Sequence, residues 1–237
     1  MKKIITRILN TLYNISFFQI MKENQNRKIE EIFILTIPRN EERKKEIVKH
    51  INNRFAFSFF IGFDGKNDSL VSLKNLTNPE TTLSPGEIGC AMSHRMIYEH
   101  IIKNNLNTVL VLEDDAHIDF KKWHILDKIL QQLPEDWDLV YLGYKDGEIR
   151  GYIPFISKEG ATKRYKKYLR RAGAHELTVG YLISKKGAEI LLKKQTPIQY
   201  TSDGLIENAI LNNEIKAFVS VPKIIHPNTT IKSSIWS

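Results

Sequence analysis

The stretch Thr108-Val-Leu-Val-Leu-Glu-Asp-Asp115 constrains this chain more than any other. Val109 to Leu112 form a short, uninterrupted apolar run with two β-branched residues, the pattern of a strand buried on both faces. Glu113, Asp114 and Asp115 follow at once. A buried strand that delivers acids to its carboxyl edge is where open α/β sheets bind ligands. Adjacent anions repel, so a cation is expected among them, and a hard divalent ion with oxygen ligands is one candidate. The alternative is a solvated acidic turn that only ends the strand.

Other segments alternate in the same way. Glu31 to Ile37 reads as a strand, ended by Pro38 and Asn40, and Asn40 can cap a helix that carries Ile47, Val48 and Ile51 on one face. Phe55 to Ile61 reads as a second strand, and residues 64–84 as a long polar loop. Ser84-Pro-Gly-Glu87 is a helix start, with Ser84 as N-cap, Pro85 in the first turn and Glu87 closing a capping box. In that helix Glu87, Cys90 and His94 share a face. One Cys and one His make a poor zinc site, and the plain reading of His94 is a hydrogen-bonded core residue. A helix over 122–132, a strand from Asp138 to Leu142, a strand from Leu177 to Ile183, a helix from Lys185 to Lys194, a helix starting at Asp203 and a strand from Ala217 to Val221 complete the order. Alternation of this kind predicts an α/β fold with a mainly parallel sheet. Neither a P-loop nor a dinucleotide glycine fingerprint is present.

Composition narrows the partners. With 237 residues the chain can form one large domain or two small ones. Its single cysteine, Cys90, excludes an internal disulfide. A net charge of +8 favours anionic partners: nucleic acid, phosphorylated sugars or acidic lipid. Residues 163–171 concentrate that charge, interleaved with tyrosines, and read as a nucleic-acid surface, a clamp for a phosphorylated or lipid-linked acceptor, or a solvated basic segment. In residues 1–30, Ile4, Ile5, Ile8, Leu9, Leu12 and Ile15 recur at helical spacing beside Lys2, Lys3 and Arg7. This predicts a basic amphipathic helix, either against a membrane surface through residues 1–20 or packed on protein.

Taken in order, several of these motifs resemble glycosyltransferase family 25, the lipooligosaccharide-type sugar transferases. They are Ile34-Leu-Thr-Ile-Pro-Arg39 with Arg43, Phe63-Asp-Gly65, Leu83-Ser-Pro-Gly-Glu-Ile-Gly-Cys-Ala-Met-Ser-His94, Val111-Leu-Glu-Asp-Asp115, Tyr141-Leu-Gly143 and Gly180-Tyr-Leu-Ile-Ser184 with Gly187-Ala188. Thr36 stands where the family usually carries Asn. The resemblance implies a GT-A-like domain over 31–237, after an N-terminal segment over 1–30. It also implies a UDP-sugar donor, UDP-galactose first, and transfer with inversion to a lipooligosaccharide or other cell-surface glycan, free or lipid-linked. It places donor contacts at Ile37, Pro38, Arg39, Arg43, Asp64, Gly65, Ser93, His94 and Asp114. It places a Mn²⁺ or Mg²⁺ at Glu113 and Asp115, with His226 as a further ligand, and the base at Asp203 or Glu87. No nucleic acid is then expected, and the location is cytoplasmic, peripheral on the inner face of a bacterial inner membrane. The alternatives are UDP-glucose as donor, a non-catalytic subunit of a polysaccharide complex, and a nucleic-acid-binding protein using residues 163–171.

Overall fold

The computed structural model describes residues 27–67, 76–146 and 163–230. The amphipathic pattern over residues 1–20 lies outside them. A seven-stranded sheet runs in the order β2-β1-β3-β7-β5-β8-β6. Its strands are β1 (Glu31–Thr36), β2 (Ser58–Ile61), β3 (Thr108–Glu113), β5 (Leu139–Asp146), β6 (Leu169–Arg171), β7 (His175–Ser184) and β8 (Ala217–Ser220). β1, β2, β3, β5 and β8 share one direction, so the sheet is mainly parallel, as expected. β7 lies antiparallel between β3 and β5, and β6 antiparallel on β8. β6 and β7 thus run in the same sense, against the other five strands, with β5 and β8 between them.

One face of the sheet packs on α2 (Pro85–Lys103), α4 (Lys185–Lys194) and α5 (Ser202–Leu211); Ile97, Tyr98, Ile101, Leu191, Leu205 and Ile206 form that core. The other face packs on α1 (Glu41–Ile51) and α3 (Ile125–Gln132) through Ile47, Ile51, Leu126, Ile129 and Leu130. With helices on both sides, β3 must be apolar at every position, and Val109 to Leu112 are fully buried. The second face also carries a small ribbon of β4 (Ala116–Ile118) and β9 (Ile225–Pro227), which the short, mixed sequences of those segments do not announce.

Three elements differ from the sequence reading. Asn40 occupies the N-cap position of α1 but makes no side-chain cap bond. Its amide donates to Asp114 Oδ2 at 2.9 Å instead. β5 does not stop at Gly143; it continues to Asp146 through irregular pairing with β7. Gly143 allows this because a Cβ there would meet the Ile225 carbonyl oxygen at 2.7 Å, so β9 crosses directly over it. α5 is capped by Thr201, whose hydroxyl accepts from Gly204 N at 3.1 Å, which leaves Asp203 inside the first turn.

The chain also joins the domain before β1. The Arg27 guanidinium donates to the carbonyls of Leu130 at 3.0 Å and Leu133 at 3.2 Å, at the C-terminal end of α3. Those carbonyls lack helical partners, and a cation there opposes the negative end of the helix dipole. Among the described residues no helix is long and apolar enough to cross a membrane.

Candidate active site

The parallel strands β1, β2 and β3 end together, and a cleft of about 590 Å³ opens at that carboxyl edge. Leu35, Thr36 and Ile37 line it from the end of β1, and Arg39, Asn40 and Arg43 from the turn into α1. Phe63, Asp64 and Gly65 follow β2; Gly86, Cys90 and Ser93 face it from α2; Glu113, Asp114 and Asp115 form its floor.

The loop after β2 is pressed onto α2 by close approach of backbones. A Cβ on Gly65 would lie 1.7 Å from the Pro85 carbonyl oxygen, and one on Gly89 2.5 Å from Gly65 N. Ser93 fastens the same junction: its hydroxyl accepts from Phe63 N at 2.9 Å and donates to the Gly89 carbonyl at 2.7 Å. Asp64 is buried, which disfavours its charge. Bonds from Asn67, Arg39 and the Lys66 amide nevertheless hold its carboxyl below the usual range.

The acids have divided roles. Asp114 is a junction: Thr36 Oγ1 donates to Oδ2 at 2.6 Å, Asn40 to the same oxygen, and Arg43 Nε lies 2.9 Å from Oδ1. Thr36 thereby does structural work at the position where the family usually has Asn. Arg43 also reaches Asp115 Oδ2 at 2.5 Å. A cation does stand among these anions, and in the protein itself it is an arginine. Burial, with Glu113 and Asp114 alongside, still pushes the Asp115 carboxyl up to about 7, against the pull of Arg43. Its Oδ1 is buried without a hydrogen-bond partner. Glu113 turns the other way. Burial raises its proton affinity, but bonds from His94 and from Thr178 Oγ1 (2.5 Å), with the charge of Arg43, hold it below the ordinary carboxylate range.

A divalent ion fits this floor. Asp115 offers one unpartnered buried oxygen, its other oxygen being paired with Arg43, and Glu113 is ionised beside it. His226 lies in β9 opposite His117, with Lys122, Asp119 and Lys223 acting on it, and just past the end of the same segment Asn228 N donates to the Asp115 carbonyl at 2.8 Å. The β4–β9 ribbon, invisible in the sequence, decides that position.

Arg39 and Arg43 both line the cleft, Arg39 paired with Asp64 and Arg43 with Asp114 and Asp115, while the neighbouring Glu41 and Glu42 take Lys44 and Lys45. Ile37 lines the cleft, whereas Pro38 is exposed in the turn behind it. His94 is buried, with Nδ1 2.8 Å from the Tyr181 hydroxyl. Glu87 is committed to its cap: Oε2 accepts from Ser84 N at 2.8 Å and from Ser84 Oγ at 2.7 Å.

Asp203 lies in the first turn of α5 and, with Asp115, acts on the Cys90 thiol, whose proton affinity burial and these charges raise. Its Oδ1 accepts from Thr201 Oγ1 at 2.7 Å and Gly204 N at 2.9 Å, and its Oδ2 from Leu177 N at 3.4 Å. Leu177 has φ 77, a strained backbone for a leucine. That distortion sits beside Thr178, whose hydroxyl meets both Glu113 and Ser202. Glu207, one turn on from Asp203, has its carboxyl raised by burial, Asp203 and Glu176. Thr178, Ser202 and Glu207 escaped the sequence reading, because a lone hydroxyl or helix-surface acid carries no spacing signal.

An acid-floored cleft at the carboxyl edge of parallel strands defines an α/β domain built to bind a polar, anionic ligand beside a cation. The chain belongs to glycosyltransferase family 25, whose model, described as an LPS biosynthesis protein family, matches residues 29–206. It is 25% identical to procollagen galactosyltransferase 1 of Danio rerio over 91% of this chain and 41% of that protein. It is 24% identical to a putative glycosyltransferase of Haemophilus influenzae over 86% of this chain and 74% of that protein. The chain thus spans about two-fifths of the length of the procollagen galactosyltransferases it matches. A glycosyltransferase involved in glycosylation of the major capsid of PBCV-1 aligns over 85% of this chain and 94% of its own, with 9% identity and a TM-score of 0.45.

Proposed function

We propose that this protein is an inverting hexosyltransferase that moves galactose from UDP-galactose to a lipooligosaccharide or other cell-surface glycan. Family membership supports the transferase class, the family's LPS-biosynthesis description supports a cell-surface glycan acceptor, and the name of the procollagen galactosyltransferases supports galactose. The observation that carries the reading is Asp115, a buried carboxylate with one unpartnered oxygen on the floor of the cleft.

Glu113 and Asp115 would hold Mn²⁺ or Mg²⁺, which when bound supplies Lewis-acid stabilisation to the departing diphosphate. The guanidinium of Arg39, at the rim, is suited to nucleotide oxygens. Asp114 keeps Arg43 and Asn40 in register with the end of β1. In the transfer, the acceptor oxygen forms a bond to the anomeric carbon while the bond to the diphosphate breaks, and Asp203 takes the acceptor proton. Asp203 is suited to this because its carboxylate, in the first turn of α5, is fixed by three donors. Residues 1–20 would bring the domain to the membrane that carries a lipid-linked acceptor.

The basic segment is anchored to the fold by its tyrosines, while Lys163, Arg164, Lys166 and Lys167 remain exposed. Lys166 and Arg171 lie over the Tyr165 ring, and Lys128 and Lys167 over Tyr168. Both tyrosines pack against the core. This supports a structural edge over a nucleic-acid surface for residues 163–171.

The test is donor hydrolysis across UDP-galactose, UDP-glucose and UDP-N-acetylglucosamine, with Mn²⁺ or with chelator. Mn²⁺-dependent hydrolysis of UDP-galactose is the expected result. Full activity in chelator would remove the metal role, and preference for another sugar would reassign the donor.

A further inference from the structure

Cys90 and His94 make a weak metal motif by themselves, but the fold brings them a third ligand. The Cys90 sulfur, a ring nitrogen of His94 and a Glu113 oxygen all lie within 4.8 Å of one another. The only such group found among the described residues, it joins one turn of α2 to the end of β3. We infer that Cys90, His94 and Glu113 form a site for a borderline-soft divalent cation of the zinc class, with its fourth position open to the donor cleft.

Four observations carry this. First, tetrahedral zinc with bonds of about 2.0–2.1 Å to nitrogen and oxygen sets those ligand atoms roughly 3.4 Å apart. His94 Nε2 and Glu113 Oε1 are 3.4 Å apart. Second, each ligand side chain is held by a neighbour: Tyr181 on the far ring nitrogen of His94, Nδ1, at 2.8 Å, Thr178 on Glu113 Oε1 itself at 2.5 Å, and Ser202 on Cys90 Sγ at 3.3 Å. Outer partners of this kind hold metal ligands in register. The tyrosine hydroxyl can accept as well as donate, so it can serve the His94 tautomer that frees Nε2 for a metal. Third, Cys90 and Glu113 both line the cleft, which gives an ion a way in. Fourth, the donor set of one sulfur, one imidazole and one carboxylate suits zinc and its class better than Mg²⁺.

Binding converts the thiol to a thiolate and releases its proton to solvent. Because a proton is released, the exchange is favoured as pH rises. The site shares Glu113, but not Asp115, with the ion of the proposed function.

Cobalt(II) titration of the full chain tests this. Cys90 is the only cysteine, so a sulfur-to-cobalt charge-transfer band can arise only there. The expected result is a saturable band at one equivalent, abolished by Zn²⁺ and absent in Cys90→Ser, with proton release in unbuffered solution. Thr178→Val, which removes only the hydroxyl behind Glu113, should weaken cobalt affinity by about ten- to a hundred-fold. No band with wild-type protein, or zinc affinity unchanged in both variants, overturns the site. Asp115→Asn separates the two readings: it should keep the cobalt band while losing Mn²⁺-supported UDP binding. UDP binding unaffected by that change would sink the proposed function and leave the zinc site standing.

Discussion

Asp115→Asn should make the metal-free protein more stable at neutral pH. Asp115 ordinarily titrates at 3.8, and in the fold it rises to about 7. The folded state therefore binds more protons than the unfolded chain across that window. Stability falls as pH climbs from about 4 to 7 and levels off above, because the raised acid must ionise where its charge is poorly compensated. A shift of roughly three units corresponds to about 4 kcal/mol at 1.36 kcal/mol per unit. Glu113 and Asp114 share in that repulsion, and asparagine weakens the contact with Arg43, so about half should be recovered. A gain of about 2 kcal/mol moves the midpoint of a domain this size by roughly 4–8 °C. The assay is thermal unfolding from pH 4 to pH 8 in chelator, then with Mn²⁺ added. The variant should exceed the parent most above pH 7 and match it near pH 4. Mn²⁺ should stabilise the parent by mass action and leave the variant unmoved. A variant less stable than the parent at pH 8 would show that the Arg43–Asp115 pair is a net stabilising contact, and that Asp115 holds no uncompensated charge.

Asp203→Asn should lower turnover by about 10²- to 10⁴-fold with little change in UDP affinity, measured by steady-state kinetics and calorimetry. Glu87→Gln should keep turnover within a few-fold, since the carboxylate is committed to the cap; a dead Glu87→Gln beside a near-normal Asp203→Asn would move the base to α2. Gly65→Ala should cost several kcal/mol in denaturant unfolding, because the new methyl would meet the backbone of Pro85 at 1.7 Å. Deleting residues 1–26 while keeping Arg27 should leave a folded enzyme, active on soluble acceptor and slower on a lipid-linked one; a chain that no longer folds would show instead that the segment packs on the domain.

Much of this protein is local and was legible in its residues. The capping box at Ser84, Pro85 and Glu87 is a four-residue device, and α2 starts there. The unbroken run from Val109 to Leu112 required cover on both faces, and β3 has it. The acids following that strand had to reach a sheet edge, because burial of β3 leaves them nowhere else to go. What remained undetermined depends on contacts between distant segments. No spacing rule places Arg43 on Asp114 and Asp115, or withdraws Asn40 from its cap to bond Asp114. The resemblance offered His226 as a ligand, but only the pairing of β9 with β4 sets it opposite His117. The antiparallel insertion of β7 puts Thr178 against Glu113, and α5 brings Ser202 to Cys90. Sequence periodicity reports which face of an element is buried, since that is a property of each segment. Which buried faces meet is decided by packing of the whole chain, and the hydrogen bonds that tune Glu113, Asp115 and Cys90 exist only after that packing is complete.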